Sequence, residues 1–147
     1  MEKKFNSFKQ SGFTLIEVNV VLVILVILAS IVVPNVISRT DQAQIVKAKQ
    51  DIRALESALQ MYRVDNFSYP TTDQGLQALV EKPSSGPEAK NWQKGGYIKK
   101  VPSDPWQNEY QYISPGEEGD FDLYSLGADG RPGGADSNAD IGNWDLD

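Results

Sequence analysis

An apolar run near the N-terminus constrains this chain more than any other feature of its sequence. The 21 residues from Phe13 to Val33 contain a single charged side chain, Glu17. A helix of about 20 apolar residues matches the hydrocarbon thickness of a bilayer, and a chain of 147 residues has little volume with which to enclose such a helix on every side. The sequence therefore predicts a membrane-spanning helix over residues 13–34.

The residues on either side of the run indicate how the helix crosses the membrane. Lys3, Lys4 and Lys9 precede it against a single acid, Glu2, and lysines before a span favour a cytoplasmic location for that end. A secretory signal peptide would have a shorter apolar stretch followed by a small-residue cleavage site. Here the run continues past Pro34 into polar sequence, so we expect one crossing with the N-terminus in the cytoplasm.

Composition excludes several classes of function. The chain has no cysteine and no histidine, which excludes disulfides, thiolate chemistry and imidazole catalysis, and any metal site must consist of oxygen ligands that suit calcium. From Ser103 onward, eleven acidic residues face one base, Arg131, so nucleic acid is not expected as a partner. The acids cluster in turns and no nucleophile motif is present. We predict that the protein is not an enzyme.

Glu17 is a charge in an apolar environment. An ionised carboxylate in hydrocarbon costs on the order of several kcal/mol, which makes an intramembrane acid a candidate functional residue. One alternative is that Glu17 lies close enough to the interface to contact water. The other is that a partner supplies an opposite charge.

The residues around Glu17 carry a family resemblance. The string GFTLIE at residues 12–17, behind a short basic leader, resembles the processing signal of type IV pilins and type II secretion pseudopilins. The resemblance implies that a prepilin peptidase removes residues 1–12 by cutting after Gly12 and methylates the new N-terminus at Phe13. It further implies that Glu17 pairs with the Phe13 ammonium of a neighbouring subunit during assembly.

A polar helix is predicted from Asn35 to about Val64. Its apolar residues recur at spacings of three and four, which indicates one buried stripe on an amphipathic helix. Joined to the membrane segment, the helix would contain about 50 residues. The stripe consists of Ile45, Ala48, Ile52, Leu55, Leu59 and Tyr62.

Short elements are predicted for the rest of the chain. A short helix begins after Thr71 or Thr72, either of which can cap it, and ends before Pro83. Turn-rich sequence then separates three candidate strands, Tyr97–Lys99, Glu109–Ile113 and Asp120–Ser125. The fold class is therefore α+β, with a long N-terminal helix packed on a small C-terminal antiparallel sheet.

Three strings in this region narrow the resemblance. YPTTDQGLQAL (69–79), GGYIKKVPSDPW (95–106) and DLYSLGADG (122–130) are similar to the major pseudopilins of type II secretion systems, the general secretion pathway protein G family. The resemblance implies a type IV pilin-like fold and a homopolymer, the periplasmic pseudopilus, that drives export of folded proteins across the outer membrane. Its partners would be minor pseudopilins and an inner-membrane assembly platform, with residues 35–147 in the periplasm.

The alternative is a type IV pilin of a surface fibre. Those pilins commonly close their C-terminal region with a disulfide, which a chain without cysteine cannot form.

Residues 126–144 form a loop rich in aspartate and glycine. Such a loop can hold calcium through six to eight oxygens or can simply be a solvated turn. An EF-hand is excluded because Ile141 occupies the position that requires glycine. The pseudopilin resemblance implies a structural Ca²⁺ bound by the Leu126 carbonyl and the Asp129 and Asp140 carboxylates. Asp136 and Ser137 are further candidate ligands.

Overall fold

The chain consists of one long α-helix followed by a small antiparallel sheet. The computed structural model describes residues 12–146, apart from the side chains of residues 31–38. Helix α1 runs from Leu15 to Asn66, 52 residues, which confirms the predicted helix of about 50 residues. The chain divides between Arg39 and Thr40 into two compact units.

In the first unit, the apolar side chains of α1 are exposed. Between Phe13 and Leu28 their exposed fractions run from 49 to 83%. Within the part of the chain that the structure describes, no helix has the length and apolar character that a membrane crossing requires. The predicted leader lies outside the described residues except for Gly12, and the predicted span ends within residues 31–38. Both segments stay predictions.

In the second unit, the predicted stripe of α1 forms the centre of the core. Ala48, Ile52, Leu55, Leu59 and Tyr62 are at most 2% exposed, and Ile45 packs at the edge of the same cluster. Burying one large apolar side chain contributes about 1.5–3 kcal/mol, so this stripe is a main source of stability for the unit. The prediction of an amphipathic helix is confirmed.

The helix ends in a left-handed residue. Phe67 has a φ of +63°, and its N–H donates a 2.7 Å hydrogen bond to the carbonyl of Arg63. This is the position at which helices commonly carry glycine or asparagine. The Asn66 side chain donates to the Tyr62 carbonyl at 3.0 Å and satisfies another terminal acceptor.

The sheet has three short strands, β1 (Gln111–Ile113), β2 (Asp122–Ser125) and β3 (Ile141–Gly142). They pair in this order and are all antiparallel. Tyr112 of β1 lies opposite Leu123 of β2, and Tyr124 of β2 lies opposite Gly142 of β3. The central strand carries the fully buried Leu123 into the core formed with α1. The α+β class with a small antiparallel sheet is confirmed.

The predicted strand Tyr97–Lys99 is wrong. The amides of Tyr97 and Ile98 both donate to one acceptor, the carbonyl of Leu79, at 2.7 and 3.2 Å. Two donors converging on one turn carbonyl cannot build a ladder, in which successive bonds alternate along a partner strand. The third strand is instead β3, two residues that follow the loop of residues 126–140. This loop is called the acidic loop below.

The predicted short helix is a turn followed by a 3₁₀ helix, Leu76–Leu79. Thr71 and Gln74 exchange hydrogen bonds across the turn, with the Thr71 N–H donating to Gln74 Oε1 at 3.1 Å and the Gln74 N–H donating to Thr71 Oγ1 at 3.3 Å. Thr72 instead accepts the Ser114 N–H at 2.9 Å, which ties the turn to the end of β1. The prediction that Thr71 or Thr72 caps the short helix is wrong: the N-cap position is Gly75 and no side chain caps the helix. Thr71 bonds only within the turn that precedes it.

Candidate functional site

The first turn of α1 carries a reciprocal pair of hydrogen bonds. The Thr14 N–H donates to Glu17 Oε2 at 3.4 Å, and the Glu17 N–H donates to Thr14 Oγ1 at 3.3 Å. This is a capping box, in which Thr14 caps the helix and the acid three residues later reaches back. The role of Thr14 was not predicted, although its spacing from Glu17 is visible in the sequence.

The capping box brings the predicted processing and assembly residues into one turn. Glu17 lies at the positive end of the helix dipole, and Phe13 beside it is 83% exposed. Among the described residues, none lies within 4 Å of the position that a Cβ on Gly12 would take. No described residue therefore covers the peptide bond between Gly12 and Phe13, and Glu17 lies one turn away.

The second candidate site is the acidic loop, which connects β2 to β3. The two legs of the loop are residues 126–128 and 137–140. The Ala128 N–H of the first leg donates to the Ser137 carbonyl of the second at 2.8 Å and so holds them together. Gly127 has a φ of +67°, and a Cβ there would lie 2.8 Å from the Ala139 carbonyl oxygen. Only glycine combines that backbone with so close an approach, so Gly127 keeps the legs in contact.

Asp140 has one carboxylate oxygen bonded and one free. Its Oδ2 accepts the Gly133 N–H at 2.9 Å. Its Oδ1 is buried and has no hydrogen-bond partner within the described residues. Buried acceptors are nearly always paired, so this oxygen is suited to a cation, which would satisfy it without needing a donor.

The other predicted ligands are placed differently. Asp129 and Asp136 are exposed, and Asp129 Oδ1 accepts the Arg131 N–H at 3.1 Å. Asp136 has a φ of +55° and begins the 3₁₀ helix Asp136–Asn138. Over residues 12–146, no three acidic side chains come together in a metal-sized cluster. The structure thus joins the Leu126 leg to the leg of Ser137 and Asp140, and any cation there would need backbone carbonyls as well as carboxylates.

A buried acid behind this loop was missed in the sequence. Asp104 is 1% exposed, and its Oδ1 accepts the N–H groups of Trp106 and Asn108 at 3.0 and 2.8 Å. Its Oδ2 accepts the hydroxyl of Ser125 at 2.6 Å. The Ser-Asp-Pro-Trp turn at residues 103–106 was the available signal, since aspartate in turns often bonds to backbone N–H groups two residues on.

Two core tyrosines are held in their neutral form. Burial raises the pKa of Tyr112 to about 12. Burial also raises the pKa of Tyr110, and the nearby Asp51 carboxylate, to which its hydroxyl donates at 3.2 Å, adds to the shift. Neither phenol titrates near neutral pH, so both act as structural hydrogen-bond donors.

Two family models match the chain. The prokaryotic N-terminal methylation motif matches residues 7–33, the range that contains the capping box. The model described as type II secretion system protein G matches residues 35–144, the range that contains the sheet and the acidic loop. The chain belongs to the type II secretion system protein G family.

Individual relatives agree with this family. The type II secretion system core protein G of Pseudomonas aeruginosa is 64% identical over 137 residues, covering 93% of this chain and 96% of the relative. The core protein G of Vibrio cholerae is 59% identical and covers 94% of each chain. The crystal structure of the major pseudopilin of enterohaemorrhagic Escherichia coli is 50% identical with a TM-score of 0.67, covering 77% of this chain and 96% of that one.

These likenesses confirm the pseudopilin prediction and its pilin-like α+β fold. A type IV pilin of a surface fibre is not favoured, because the matched model and the relatives are those of the secretion system.

Proposed function

We propose that the chain is the subunit that polymerises into the periplasmic pseudopilus of a type II secretion system and so drives export of folded proteins across the outer membrane. The observation that carries this proposal is the coexistence, in one chain, of the N-terminal methylation motif and the protein G domain. Deletion should abolish secretion through this system and leave twitching motility unchanged. Loss of motility with intact secretion would favour the surface pilin instead.

Processing is proposed to create the assembly-competent subunit. A prepilin peptidase removes residues 1–12 and methylates Phe13, while residues 13–34 span the inner membrane once with a cytoplasmic N-terminus and residues 35–147 lie in the periplasm. The exposure of Phe13 and the absence of any described residue within 4 Å of a Cβ on Gly12 support this assignment. Mass spectrometry of the N-terminus from native membranes tests it: a methylated phenylalanine is expected, and an intact leader on assembled protein would contradict it.

Glu17 is proposed to pair with the Phe13 ammonium of a neighbouring subunit. Within the described residues, the donor that reaches its side chain is the Thr14 N–H of the capping box, which does not neutralise a charge. A buried carboxylate and ammonium offset part of each other's desolvation cost, so the pair sets register between subunits.

A charge-removing substitution tests this role of Glu17. Glu17→Ala should still insert in the membrane but fail to form fibres. Glu109→Ala serves as the control and should assemble normally. It removes an exposed acid of the second unit, which begins at Thr40 and is called the head below. Normal fibres from Glu17→Ala would refute the pairing.

We propose a structural role without catalysis, with minor pseudopilins and an inner-membrane assembly platform as partners. Family membership supports this. The two buried acids of the described residues are also engaged within their own chain. Asp104 accepts three donors, and Asp122 accepts the N–H groups of Glu117 and Glu118. Detectable hydrolytic turnover by the purified protein would contradict the proposal.

We also propose that the acidic loop binds a structural Ca²⁺. Its ligands would be the Leu126 carbonyl and the Asp129 and Asp140 carboxylates, with Asp136 and Ser137 as further donors. The unpaired, buried Oδ1 of Asp140 supports this site, and the donors are all oxygens, as calcium requires. The ion would supply positive charge that holds together a loop without a disulfide.

Thermal unfolding of the full-length chain tests the calcium site. A ligand at 100 times its dissociation constant stabilises the native state by about 2.7 kcal/mol, so calcium should raise Tm and a chelator should reverse the effect. Asp140→Asn should lose this response, whereas Asp145→Asn, which removes the same charge from an exposed residue, should keep it. A wild-type Tm that ignores calcium would refute the site.

A further inference from the structure

The peptide group that joins Leu126 to Gly127 has two functions on opposite sides. Because a peptide is planar and trans, the Leu126 carbonyl and the Gly127 N–H point in opposite directions from one rigid unit. The Gly127 N–H donates to Ser125 Oγ at 3.2 Å. Whatever fixes the Ser125 hydroxyl therefore also fixes the direction of the Leu126 carbonyl, the proposed backbone ligand.

Asp104 fixes that hydroxyl. The Ser125 O–H donates to Asp104 Oδ2 at 2.6 Å, and both residues are at most 1% exposed. The other oxygen of Asp104 is held by two backbone N–H groups of its own turn. Neither side chain can rotate without leaving a buried polar group unpaired, so the arrangement is rigid.

The same contacts form a directional chain of hydrogen bonds. It runs from the Gly127 N–H to the Ser125 hydroxyl and ends on the Asp104 carboxylate. Hydrogen bonds in such chains polarise one another, and those that end on a charge are short and strong. Polarising the N–H of a peptide increases the negative charge on its carbonyl oxygen, which makes the Leu126 carbonyl a better ligand for a cation.

The next peptide is held from the same turn. Asn108 Nδ2 donates to the Gly127 carbonyl at 3.5 Å. That peptide's own N–H, from Ala128, donates to the Ser137 carbonyl at 2.8 Å on the opposite leg. Two consecutive peptides of the loop are thus held by residues outside it, Ser125 and Asn108, and the second is also held by Ser137 on the opposite leg.

We propose that Asp104 is a positioning residue for calcium: acting through Ser125, it orients and polarises the Leu126 carbonyl toward the cation. The inference rests on the calcium site proposed above. Both oxygens of Asp104 already accept protein donors, so Asp104 sets the affinity of the loop for calcium without being a ligand.

Calcium affinity measured by calorimetry tests this inference. Calcium chloride is titrated into the full-length chain in detergent micelles, with Ser125→Ala as the test variant. Tyr112→Phe is the control, because it likewise removes a buried hydroxyl of the head, whose hydrogen bond to the Pro70 carbonyl lies away from the loop. Groups that support metal ligands typically contribute 10–100-fold to affinity. We expect a Kd at least tenfold higher for Ser125→Ala and an unchanged Kd for Tyr112→Phe.

A second variant covers the case in which Ser125→Ala does not fold. Asp104→Asn keeps the size of the side chain and an oxygen for the two turn amides, but it removes the carboxylate that accepts the Ser125 hydroxyl. It should also weaken calcium binding. Where both variants fold, the double variant should bind no more weakly than Ser125→Ala, because Asp104 acts through Ser125.

The outcomes separate the inference from the site on which it rests. If wild type binds calcium, Asp140→Asn does not, and the folded Ser125→Ala and Asp104→Asn variants bind as wild type does, the calcium site stands and the role of Asp104 is refuted. If wild type itself does not bind calcium, both are refuted.

Discussion

The hydroxyl of Tyr112 donates a 2.8 Å hydrogen bond to the carbonyl of Pro70 inside the head. This bond links the middle of β1 to the segment that follows α1. Tyr112 is 8% exposed, so neither water nor another donor easily replaces the phenol. The bond depends on the neutral form of the tyrosine, which makes it sensitive to alkaline pH.

We therefore expect the head to lose stability at alkaline pH. Burial raises the pKa of Tyr112 to about 12, above the value near 10 of an unfolded tyrosine. The unfolded state then loses its proton first, so the contribution is complete below pH 10 and is lost as pH rises from 10 to about 12. Chemical denaturation across this range should show a shallower decline for Tyr112→Phe than for wild type. Parallel declines for the two proteins would contradict the assignment.

Two glycines of the acidic loop should respond differently to alanine. Both have positive φ, +67° at Gly127 and +85° at Gly133, but only at Gly127 would a Cβ meet backbone within 4 Å. The shared backbone strain costs about 1 kcal/mol, and overpacking typically adds about 1–3 kcal/mol. Denaturant unfolding should thus show a larger loss for Gly127→Ala than for Gly133→Ala. Equal losses would mean that the legs separate freely.

Truncation within the helix stripe should be far more costly than truncation beside it. Leu59 is fully buried, whereas Met61 on the same helix is 59% exposed. Leu59→Ala should lower the free energy of unfolding of the head by about 2–5 kcal/mol, and Met61→Ala should change it by about 0.5 kcal/mol or less. A comparable loss in both variants, measured by urea denaturation, would argue against the observed helix orientation.

Removing the hydroxyl of Thr14 should loosen the first turn of α1. Thr14→Val has nearly the same shape but cannot accept the Glu17 N–H, and loss of a cap costs about 0.5–2 kcal/mol. Amide hydrogen exchange in micelles should be faster at residues 15–18 in Thr14→Val. Thr14→Ser keeps the oxygen and should protect these amides as wild type does. If Thr14→Val protects them equally well, the capping box is refuted.

The sequence was most informative where a regular pattern extends over several turns. The stripe from Ala48 to Tyr62 was predicted because its spacing repeats across the helix, and all its predicted members in that range are buried. The strand predicted at Tyr97–Lys99 was wrong because three residues carry too little pattern to distinguish a strand from a bend. The hydroxyl of Tyr97 is instead engaged by Asp65 and Asn66, contacts that no local pattern encodes.

The candidate sites also divide into one whose residues are close together in the sequence and one whose residues meet only in the folded protein. Gly12, Phe13 and Glu17 lie within six consecutive residues, so a short motif was enough to predict them as a site. Asp104 and Ser125 are 21 residues apart and meet only in the folded head. Their contact depends on how the turn at 103–108 packs on β2, and nothing in either segment alone specifies its partner.

The loop between β2 and β3 is fixed at its base, where Gly127 contacts the opposite leg, while Arg131 and Pro132 at its far end are exposed. A fluorophore or short epitope joined between those two residues would project away from the packed base. The chain thereby offers an attachment point through which single subunits could be followed by microscopy as fibres grow.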